Sequence, residues 1–435
     1  MTRNRILRYL VALALASTPL ALATPAAAEP ATTISYPAAA SATRLNGLAF
    51  DACTAPSRAA MQAWQASSYD GVGVYLGGSN RTCSQPNLTA TWVTAVSAMR
   101  WRIIPIYMGR QAPCTFRPNA VEFTSTTAAA HGKSDATDAV AKAKALGMLP
   151  GSAIYGDMEH YDVTNASCRT AVLRFLSSWT KELHRLGYLS GVYAGLNSGA
   201  RHLTEAYSST SYARPDALWI ARWDGVASLS GWAGIPDSRW SGQQRGKQYE
   251  GDHDEVHGGV RINIDSDRFD APVATVAYNY RVTSSTPLNG RSGPSTSSAI
   301  VRTFPAGSTV KVVCQTAGTK VSTTAVWNKL TDGAYVSDYY VSTASNTTYT
   351  TPLPRCSYPF QVTGTTVNER SGPGFSYSVH GTKSSGSLAW VTCQRTGSVN
   401  GATPIWNRLT NGRYVTDRYL STPSATTYSK PIPRC

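Results

Sequence analysis

Residues 153–159 read Ala153-Ile154-Tyr155-Gly156-Asp157-Met158-Glu159, an apolar run that ends in two carboxylates. Side chains two residues apart in a β-strand point to the same face, so Asp157 and Glu159 are expected to project together, roughly 7 Å apart at Cβ. Two carboxyls this close do not ionise independently, and one of them should have a raised pKa. The pair predicts acid-base chemistry at a strand end. The alternative is a hydrogen-bonded acidic strand end without chemistry.

Seven other short runs resemble this one. Strands are predicted at 47–51, 72–76, 103–108, 153–158, 189–194, 217–222, 247–250 and 262–265. Most are continuous apolar runs, which are typical of a parallel sheet covered by helices. Helical patterns lie between them, the clearest at 168–186 with Gly187 as a stop signal. Residues 44–271 are therefore predicted to form an α/β (β/α)8 TIM-type barrel, with an open α/β sheet as the alternative.

The C-terminal part is a tandem repeat. The segment Leu288-Asn289-Gly290-Arg291-Ser292-Gly293-Pro294 recurs as Val367-Asn368-Glu369-Arg370-Ser371-Gly372-Pro373, and Trp327-Asn328-Lys329-Leu330 recurs at the same offset as Trp406-Asn407-Arg408-Leu409. Short alternating segments broken by Gly, Pro and Asn predict two small all-β units, at 278–357 and 358–435.

The N-terminal segment 1–28 is typical of a secretory signal peptide. Arg3, Arg5 and Arg8 precede an apolar stretch that leads to the small residues Ala26-Ala27-Ala28. Residues 29–43, rich in Ala, Thr, Ser and Pro, are predicted to be a flexible lead-in. No other apolar run is long enough to span a bilayer. The sequence therefore predicts a secreted protein, extracellular or associated with the cell wall, without a transmembrane segment.

Eight cysteines in an exported chain predict four disulfides. The repeat offset predicts the pairs Cys314–Cys356 and Cys393–Cys435, one inside each unit. The other four cysteines allow three pairings, of which we favour Cys53–Cys83 with Cys114–Cys168 because each pair follows neighbouring strands. The chain has no Cys-x-x-Cys pair of the kind that indicates a metal site.

Positive charge is concentrated in the C-terminal third. Residues 278–435 contain 15 Lys/Arg against 4 Asp/Glu, a net charge of +11, whereas residues 29–277 contain 22 against 21. A large field of one sign attracts polyanions. For an exported protein these are envelope polymers such as peptidoglycan or another anionic wall polymer, and no nucleic-acid partner is expected. The alternative is a basic surface that only aids solubility.

Both C-terminal units resemble bacterial SH3 domains. The resemblance is carried by the Arg-Ser-Gly-Pro turn, the central Trp and the Gly-x-Tyr-Val-x-Asp ending, which occur twice in the same order. It implies two small SH3-like barrels that attach a secreted hydrolase to cell-wall peptides or polysaccharides. The alternative is that the two units are spacers.

The preceding barrel resembles family-25 glycoside hydrolases, lysozymes that cut the glycan of peptidoglycan. Ordered segments carry this resemblance: Gly47-Leu48-Ala49-Phe50-Asp51, Asp157-Met158-Glu159, Gln248-Tyr249 and Ile264-Asp265. The barrel is also similar to the glycoside-hydrolase-like family long filed as a domain of unknown function, through the runs that begin at Asp51, Gln85 and Gln111. It departs from the family-25 pattern at Cys53 and Thr54, which affects the substrate pocket rather than the acids.

The resemblance implies roles for four acids, all expected at C-terminal strand ends. Glu159 would be the general acid, with a pKa raised by Asp157 and by burial. Asp157 would stabilise the oxocarbenium-like transition state or orient the acetamido group of the substrate. Asp51 and Asp265 would position water or substrate.

The implied activity is lysozyme-like hydrolysis by a monomer that needs no metal or organic cofactor. The predicted substrate-binding residues are Tyr193, Trp219, Trp223, Gln248 and Tyr249. The alternative function is a non-catalytic envelope protein that uses the barrel to bind glycan.

A pair of histidines, His253 and His257, lies among acidic residues. Gly251 and Gly258-Gly259 flank the pair and predict a loop rather than a ligand-presenting helix, so we interpret the segment as a solvated turn near the barrel mouth and not as a metal site.

Overall fold

Eight strands close into a barrel in the order in which they occur in the sequence. The structure is a computed structural model that describes residues 40–435, so the predicted signal peptide and residues 29–39 of the predicted lead-in lie outside it. The strands are β1 (Thr43–Asp51), β2 (Tyr69–Gly77), β3 (Arg102–Tyr107), β4 (Ala153–Met158), β5 (Leu189–Gly195), β6 (Ala217–Ala221), β7 (Arg245–His257) and β8 (Val260–Val273). Each overlaps one of the eight predicted strands.

The last strand reverses direction. Strands β1 to β7 run parallel, whereas β8 is antiparallel to both β7 and β1. The turn Gly258-Gly259 joins β7 to β8, and both glycines have positive φ, 56° and 77°, as short hairpin turns require. The (β/α)8 prediction is therefore wrong in its last three units, because within the described residues no α-helix follows β6, β7 or β8. The segment 251–261 is too short for a crossover helix, which needs a connection of about a dozen residues or more.

Five α-helices occur in the described residues. They are α1 (Arg58–Ala63), α2 (Ala90–Ala98), α3 (Ala128–Ala145), α4 (Ala166–Arg185) and α5 (Gly199–Glu205). Helix α4 contains the stripe predicted at 168–186, and its apolar residues are buried against the barrel. The side chain of Asn165 caps α4 by accepting a hydrogen bond from the Cys168 N–H at 3.0 Å. None of the helices within residues 40–435 is long and apolar enough to cross a membrane.

Three aromatic rings fill the barrel interior. Tyr155 of β4, Trp219 of β6 and Phe269 of β8 are buried, and their centroids lie 5.0 to 5.8 Å apart with steep interplanar angles. These edge-to-face contacts are the favourable ones for aromatic rings. Asp157 lies two residues beyond Tyr155 in β4 and therefore shares its inward face. The rings form an apolar floor that keeps water away from one side of the acids above them.

Two six-stranded sheets follow the barrel. The first contains β9 (Tyr278–Arg281), β10 (Leu288–Arg291), β11 (Ile300–Phe304), β12 (Thr309–Val321), β13 (Thr324–Leu330) and β14 (Tyr335–Ser337). The second contains β15 (Tyr358–Gln361), β16 (Thr366–Arg370), β17 (Val379–Ser384), β18 (Leu388–Asn400), β19 (Thr403–Leu409) and β20 (Tyr414–Thr416). Corresponding strands occupy the same places, in the orders β11-β10-β14-β13-β12-β9 and β17-β16-β20-β19-β18-β15.

Four disulfides close loops within these parts. The pairs are Cys53–Cys83, Cys114–Cys168, Cys314–Cys356 and Cys393–Cys435, the same pairs that the sequence favours. Cys168 is the third residue of α4, so its disulfide fixes the segment around Cys114 beside the end of β4. The backbone N–H of Asp162 also donates to the Cys114 carbonyl at 3.0 Å. The disulfide thus holds one side of the barrel mouth in place.

The barrel and both sheets belong to one compact unit. The backbone N–H of Ala42 donates to the Ser357 carbonyl at 3.0 Å, so this end of the predicted flexible lead-in is ordered. Gln244 in the barrel accepts a hydrogen bond from the Leu388 N–H of the second sheet at 3.1 Å. The first sheet touches the barrel through Arg102, which donates to the Pro352 carbonyl at 3.3 Å.

Candidate active site

The four predicted acids lie at one end of the barrel. Asp51 ends β1, Asp157 is the penultimate residue of β4, and Glu159 directly follows β4. Parallel strands place their carboxyl ends at the same rim, which brings these three residues together. Asp265 reaches the rim differently, because it lies in the middle of the antiparallel strand β8, directly opposite Asp51. The expectation that Asp265 ends its strand is therefore wrong.

Gln248 of β7 links two of the acids. Its Nε2 donates to Asp51 Oδ2 at 2.9 Å and to Asp265 Oδ2 at 3.0 Å. Its Oε1 accepts hydrogen bonds from the Tyr193 hydroxyl and from Trp223 Nε1, both at 2.9 Å. Gln248 is buried, so this network of four partners fixes its amide in one orientation. The amide holds the two carboxylates side by side at the mouth.

The aromatic residues predicted to bind substrate divide into two groups. Trp223 is 64% exposed and Tyr193 is partly exposed, and both touch the mouth through Gln248. Trp219, by contrast, is buried in the interior floor. Tyr249 faces away from the mouth, because adjacent residues of a strand point to opposite sides, and it interacts with Tyr69 and Ser266. The structure therefore brings Trp223 and Tyr193 to the candidate site, but not Trp219 or Tyr249.

Burial raises the pKa of every acid in the cluster. The pKa of Asp51 is raised to about 7, first by burial and then by the charge of Asp265. The pKa of Asp157 is raised well above its usual range, by burial and then by Glu159 and Asp51. Burial also raises the pKa of Glu159 and of Asp265. Since like charges in a dry site oppose one another, the cluster retains protons that separate carboxyls would lose.

Glu159 is more exposed to solvent than Asp51 and Asp157. Its side chain is 36% exposed, whereas Asp51 and Asp157 are only 2% and 4% exposed. Arg117 Nη1 lies 3.8 Å from Glu159 Oε1, and this positive charge opposes the rise in the pKa of Glu159. A cavity of about 420 Å³ is lined by the next residue, His160, and by residues at the ends of β5 and β6, whereas none of the four acids lines it. Glu159 is therefore more open to a bound ligand than Asp51 or Asp157.

Gln111 positions Glu159 through the backbone. This buried residue donates from Nε2 to the Asp157 carbonyl at 2.9 Å, and its Oε1 accepts from the Glu159 N–H at 2.9 Å. The Gln111 side-chain amide thus provides hydrogen-bond partners for the Asp157 carbonyl and the Glu159 N–H, at the point where the pairing of β4 with its neighbouring strands ends. The sequence placed Gln111 in a family motif but gave it no role.

Asp267 is a fifth acid that the sequence analysis missed. It is fully buried in β8, and its Oδ1 accepts a hydrogen bond from Trp219 Nε1 at 2.9 Å. Burial and the charges of Asp51 and Asp265 raise its pKa well above the usual range. The signal was present, because Asp265-Ser266-Asp267 has the same two-residue spacing as Asp157-Met158-Glu159. The Asp267 carboxyl hydrogen-bonds to Asp51 and is not open to solvent.

The histidine pair lies in a strand, contrary to the predicted loop. His253 and His257 are both in the outer part of β7, where the β7–β8 hairpin extends beyond the barrel. Glu255 lies between them and contacts both rings, at 3.2 and 2.6 Å, while the Tyr69 hydroxyl donates to it at 2.7 Å. Within residues 40–435 no group of three or more His, Cys, Asp or Glu residues has the geometry of a metal site.

One protein-family model matches most of the barrel. Residues 62–269 match the family described as Rv2525c-like, glycoside hydrolase-like domain. The matched segment runs from α1 to β8, so it includes Asp157, Glu159 and Asp265 but begins after Asp51. A separate comparison finds 98 residues that are 35% identical to the uncharacterized protein YraI of Bacillus subtilis (strain 168), over 20% of this chain and 80% of that protein.

Solved structures with a similar course of the chain include one bacterial and one phage protein. The Tat-secreted protein Rv2525c of Mycobacterium tuberculosis, in complex with L-tartrate, is 15% identical, and the alignment covers 52% of this chain and 96% of that chain with a TM-score of 0.37. The catalytic domain of endolysin ply40 from bacteriophage P40 of Listeria monocytogenes is 14% identical, with 52% and 94% coverage and a TM-score of 0.33.

Proposed function

We propose that the barrel hydrolyses a glycan of the bacterial cell wall, from the premise that residues 62–269 match the Rv2525c-like family of glycoside hydrolase-like domains. The chain also belongs to the family of YraI, whose description names no activity. The observation that carries the proposal is the carboxyl cluster at the barrel mouth, in which the pKa of every member is raised. A glycosidase needs one carboxyl that keeps its proton at neutral pH beside another that is charged.

Glu159 is the general acid in this proposal. Its side chain is 36% exposed, its pKa is raised by burial, and the next residue, His160, lines the cavity at the ends of β5 and β6. A sugar that covers the mouth would remove more water from Glu159 and strengthen its hold on the proton. That proton can then pass to the oxygen of the leaving sugar as the bond to the anomeric carbon breaks.

The reaction is completed by water. Cleavage of the C–O bond leaves an oxocarbenium-like centre, to which water adds its oxygen while its proton returns to a carboxylate of the cluster. Asp51 and Asp265 are held side by side by Gln248 and are the groups proposed to orient this water or the sugar. The products are two shorter glycans, one of which has a new reducing end.

Asp157 is assigned to orienting the substrate rather than to carrying a negative charge. Burial and the charges of Glu159 and Asp51 raise its pKa well above the usual range, which favours its protonated form. Its Oδ1 is buried and has no hydrogen-bond partner within the described part of the chain. Of the two roles considered from the sequence, an orienting contact to a substrate group such as the acetamido fits these properties better.

The cell wall is the proposed location of the substrate. Residues 1–28 are typical of an export signal, and the four disulfides suit an oxidising compartment. Residues 278–435 carry the net charge of +11 and resemble SH3 domains that bind the wall. We therefore propose that the two sheets anchor a secreted peptidoglycan hydrolase to its polymer.

The proposal is tested by adding purified mature protein to cell walls and measuring both reducing sugar ends and the fraction of protein that sediments with the walls. A hydrolase produces reducing ends with time. Sedimentation without any new reducing ends would support the alternative, a non-catalytic protein that uses the barrel to bind glycan. That result would refute the catalytic role of the cluster.

Replacing Arg117 with Gln is expected to shift the pH dependence of cleavage to higher pH. The positive charge 3.8 Å from Glu159 lowers the pKa of that carboxyl, so its removal lets Glu159 keep its proton further into the alkaline range. For a partly exposed pair, the alkaline limb of the pH–rate profile should move up by roughly half a pH unit. Arg169→Gln, which breaks an Arg–Glu pair with Glu205 rather than with a member of the cluster, is the matched control and should leave the profile unchanged. A downward shift in the Arg117 variant would contradict the assignment of Glu159.

A further inference from the structure

A large cleft lies between the two C-terminal sheets. Its volume is about 950 Å³, and its walls come from segments 292–298 and 315–319 of the first unit and from segments 408–412 and 430–435 of the second. Clefts of several hundred Å³ are the usual size of ligand sites. Because both units contribute a wall, the cleft exists only when the two units are arranged as they are here.

The charged side chains that line the cleft are all positive. Arg355, Arg408, Lys430 and Arg434 line it and are exposed, and its lining within the described residues includes no Asp or Glu. The guanidinium of Arg355 lies on the Tyr349 ring, 3.4 Å from its centroid. Arg434, the equivalent residue of the second unit, lies on Tyr428 at 4.2 Å. A stacked guanidinium keeps its N–H edge free to bind an anion and loses little freedom when it does so.

The Asp and Glu residues of the two C-terminal units bind partners outside the cleft. Only four exist in residues 278–435. Asp332 pairs with Arg302, and Glu369 pairs with Lys383 and Arg413. The other two, Asp338 and Asp417, are fully buried and accept hydrogen bonds from buried amides. The four cations of the cleft therefore have no carboxylate partner within the described chain, and their charge is available to a ligand.

The two walls are held in a fixed arrangement. Lys329 of the first unit is buried, and its Nζ donates to the Tyr358 hydroxyl of the second unit at 3.0 Å. Val313 and Cys314 of the first unit pack in the same apolar cluster as Tyr358 and Phe360 of the second. A cleft with packed walls is formed before the ligand arrives, so less ordering cost opposes binding.

We propose that this cleft binds a linear envelope polymer that carries repeated phosphate groups. The inference rests on the proposed function only for the cell wall as the place where the protein acts. Cations on both walls suit a chain with several charges better than a ligand with one carboxylate, which a single arginine would bind. Serine and threonine side chains in the same walls, among them Ser292, Thr316 and Thr410, offer hydrogen bonds to hydroxyl groups between the phosphates.

The test uses the full mature protein and fluorescently labelled short-chain inorganic polyphosphate as the probe. The cleft variant combines Arg355→Gln, Arg408→Gln, Lys430→Gln and Arg434→Gln. The control combines Arg281→Gln, Lys311→Gln, Lys320→Gln and Arg395→Gln, four exposed cations of the same units that do not line the cleft. Removing four ion contacts should weaken binding by roughly tenfold or more in the cleft variant, whereas the control, with the same net charge, should bind within about threefold of the native protein.

Additional variants and probes distinguish the ways in which the proposal could fail. The double variant Arg408→Gln with Lys430→Gln leaves both stacked arginines in place, so it keeps the test valid if the fourfold variant does not fold, and it should lose roughly threefold in affinity. Equal weakening of the cleft and control variants would show attraction by charge alone and overturn the proposal. Preference for poly-L-glutamate over polyphosphate would overturn it in favour of a carboxylate-bearing peptide. Reducing-end release from glycan is measured on the native protein in parallel, and its absence there would refute the hydrolase and not the cleft.

Discussion

Replacing Glu159 with Gln is expected to reduce glycan cleavage at least about 100-fold, because the amide keeps the size of the side chain but has no proton to transfer. The substitution should leave the fold intact. The hydrogen bond that Glu159 makes to Gln111 uses its backbone N–H, and its side chain contributes a partly exposed ion pair with Arg117 at 3.8 Å. Such pairs contribute little to stability, roughly 0 to 1 kcal/mol. The initial rate of reducing-end release from cell walls measures the loss.

The matched control is Glu122→Gln, the same chemical change at an exposed residue. Glu122 lies opposite Gln111 in a β-bridge whose hydrogen bonds are made by the backbone of Val121 and Phe123. The control variant should retain native activity. Both variants should sediment with cell walls as the native protein does, because neither alters residues 278–435. Native activity in the Glu159 variant would show that Glu159 is not the general acid and would make Asp157 the next candidate for that role.

Replacing Asp51 with Asn is expected to stabilise the protein at high pH and not at low pH. Burial and the charge of Asp265 raise the pKa of Asp51 from 3.8 to about 7. A carboxyl whose pKa is raised by folding holds its proton more tightly in the folded state, so stability falls as the pH rises from about 4 to about 7. The asparagine amide has no such proton to lose and avoids this loss of stability. The size of the pKa change sets the upper limit of the gain at about 4 kcal/mol above pH 7.

Urea denaturation at pH 4 and pH 8 measures this effect. At pH 4 the variant and the native protein should unfold at nearly the same urea concentration, and at pH 8 the variant should need more urea. Asp70→Asn, at an exposed position near the other end of the barrel, is the control and should show no such dependence on pH. A variant of Asp51 that is equally destabilised at both pH values would mean that Asp51 is ionised and held by Gln248 throughout.

Most strands of the barrel were predictable because they are short apolar runs. Their closure into one barrel in sequence order followed from the alternation with helical patterns. The direction of β8 was predicted wrongly, although two signals were present. Gly258-Gly259 is a typical two-residue hairpin turn. Val260, Ile262 and Ile264 alternate with polar residues, which indicates an antiparallel strand with one face in water.

The acids of the site were visible in the sequence, but their surroundings were not. Asp157 and Glu159 are neighbours in sequence, so their proximity is local. The bridge that Gln248 makes from Asp51 to Asp265 joins residues that are far apart in the sequence and depends on barrel closure. Barrel closure also decides the role of Trp219. From the sequence, this aromatic residue could not be distinguished from a sugar-binding residue at a strand end. In the structure it is buried, and its Nε1 donates a hydrogen bond to Asp267.

The central claim is that water adds across a glycosidic bond at the barrel mouth, and cleavage in water enriched in oxygen-18 tests it most directly. Purified mature protein is incubated with peptidoglycan in this water, and the released fragments are analysed by mass spectrometry. Hydrolysis predicts fragments with a new reducing end that carries one oxygen-18, absent when the Glu159→Gln variant is used. Fragments without the heavy oxygen, or intact glycan with the protein bound to it, would contradict the claim.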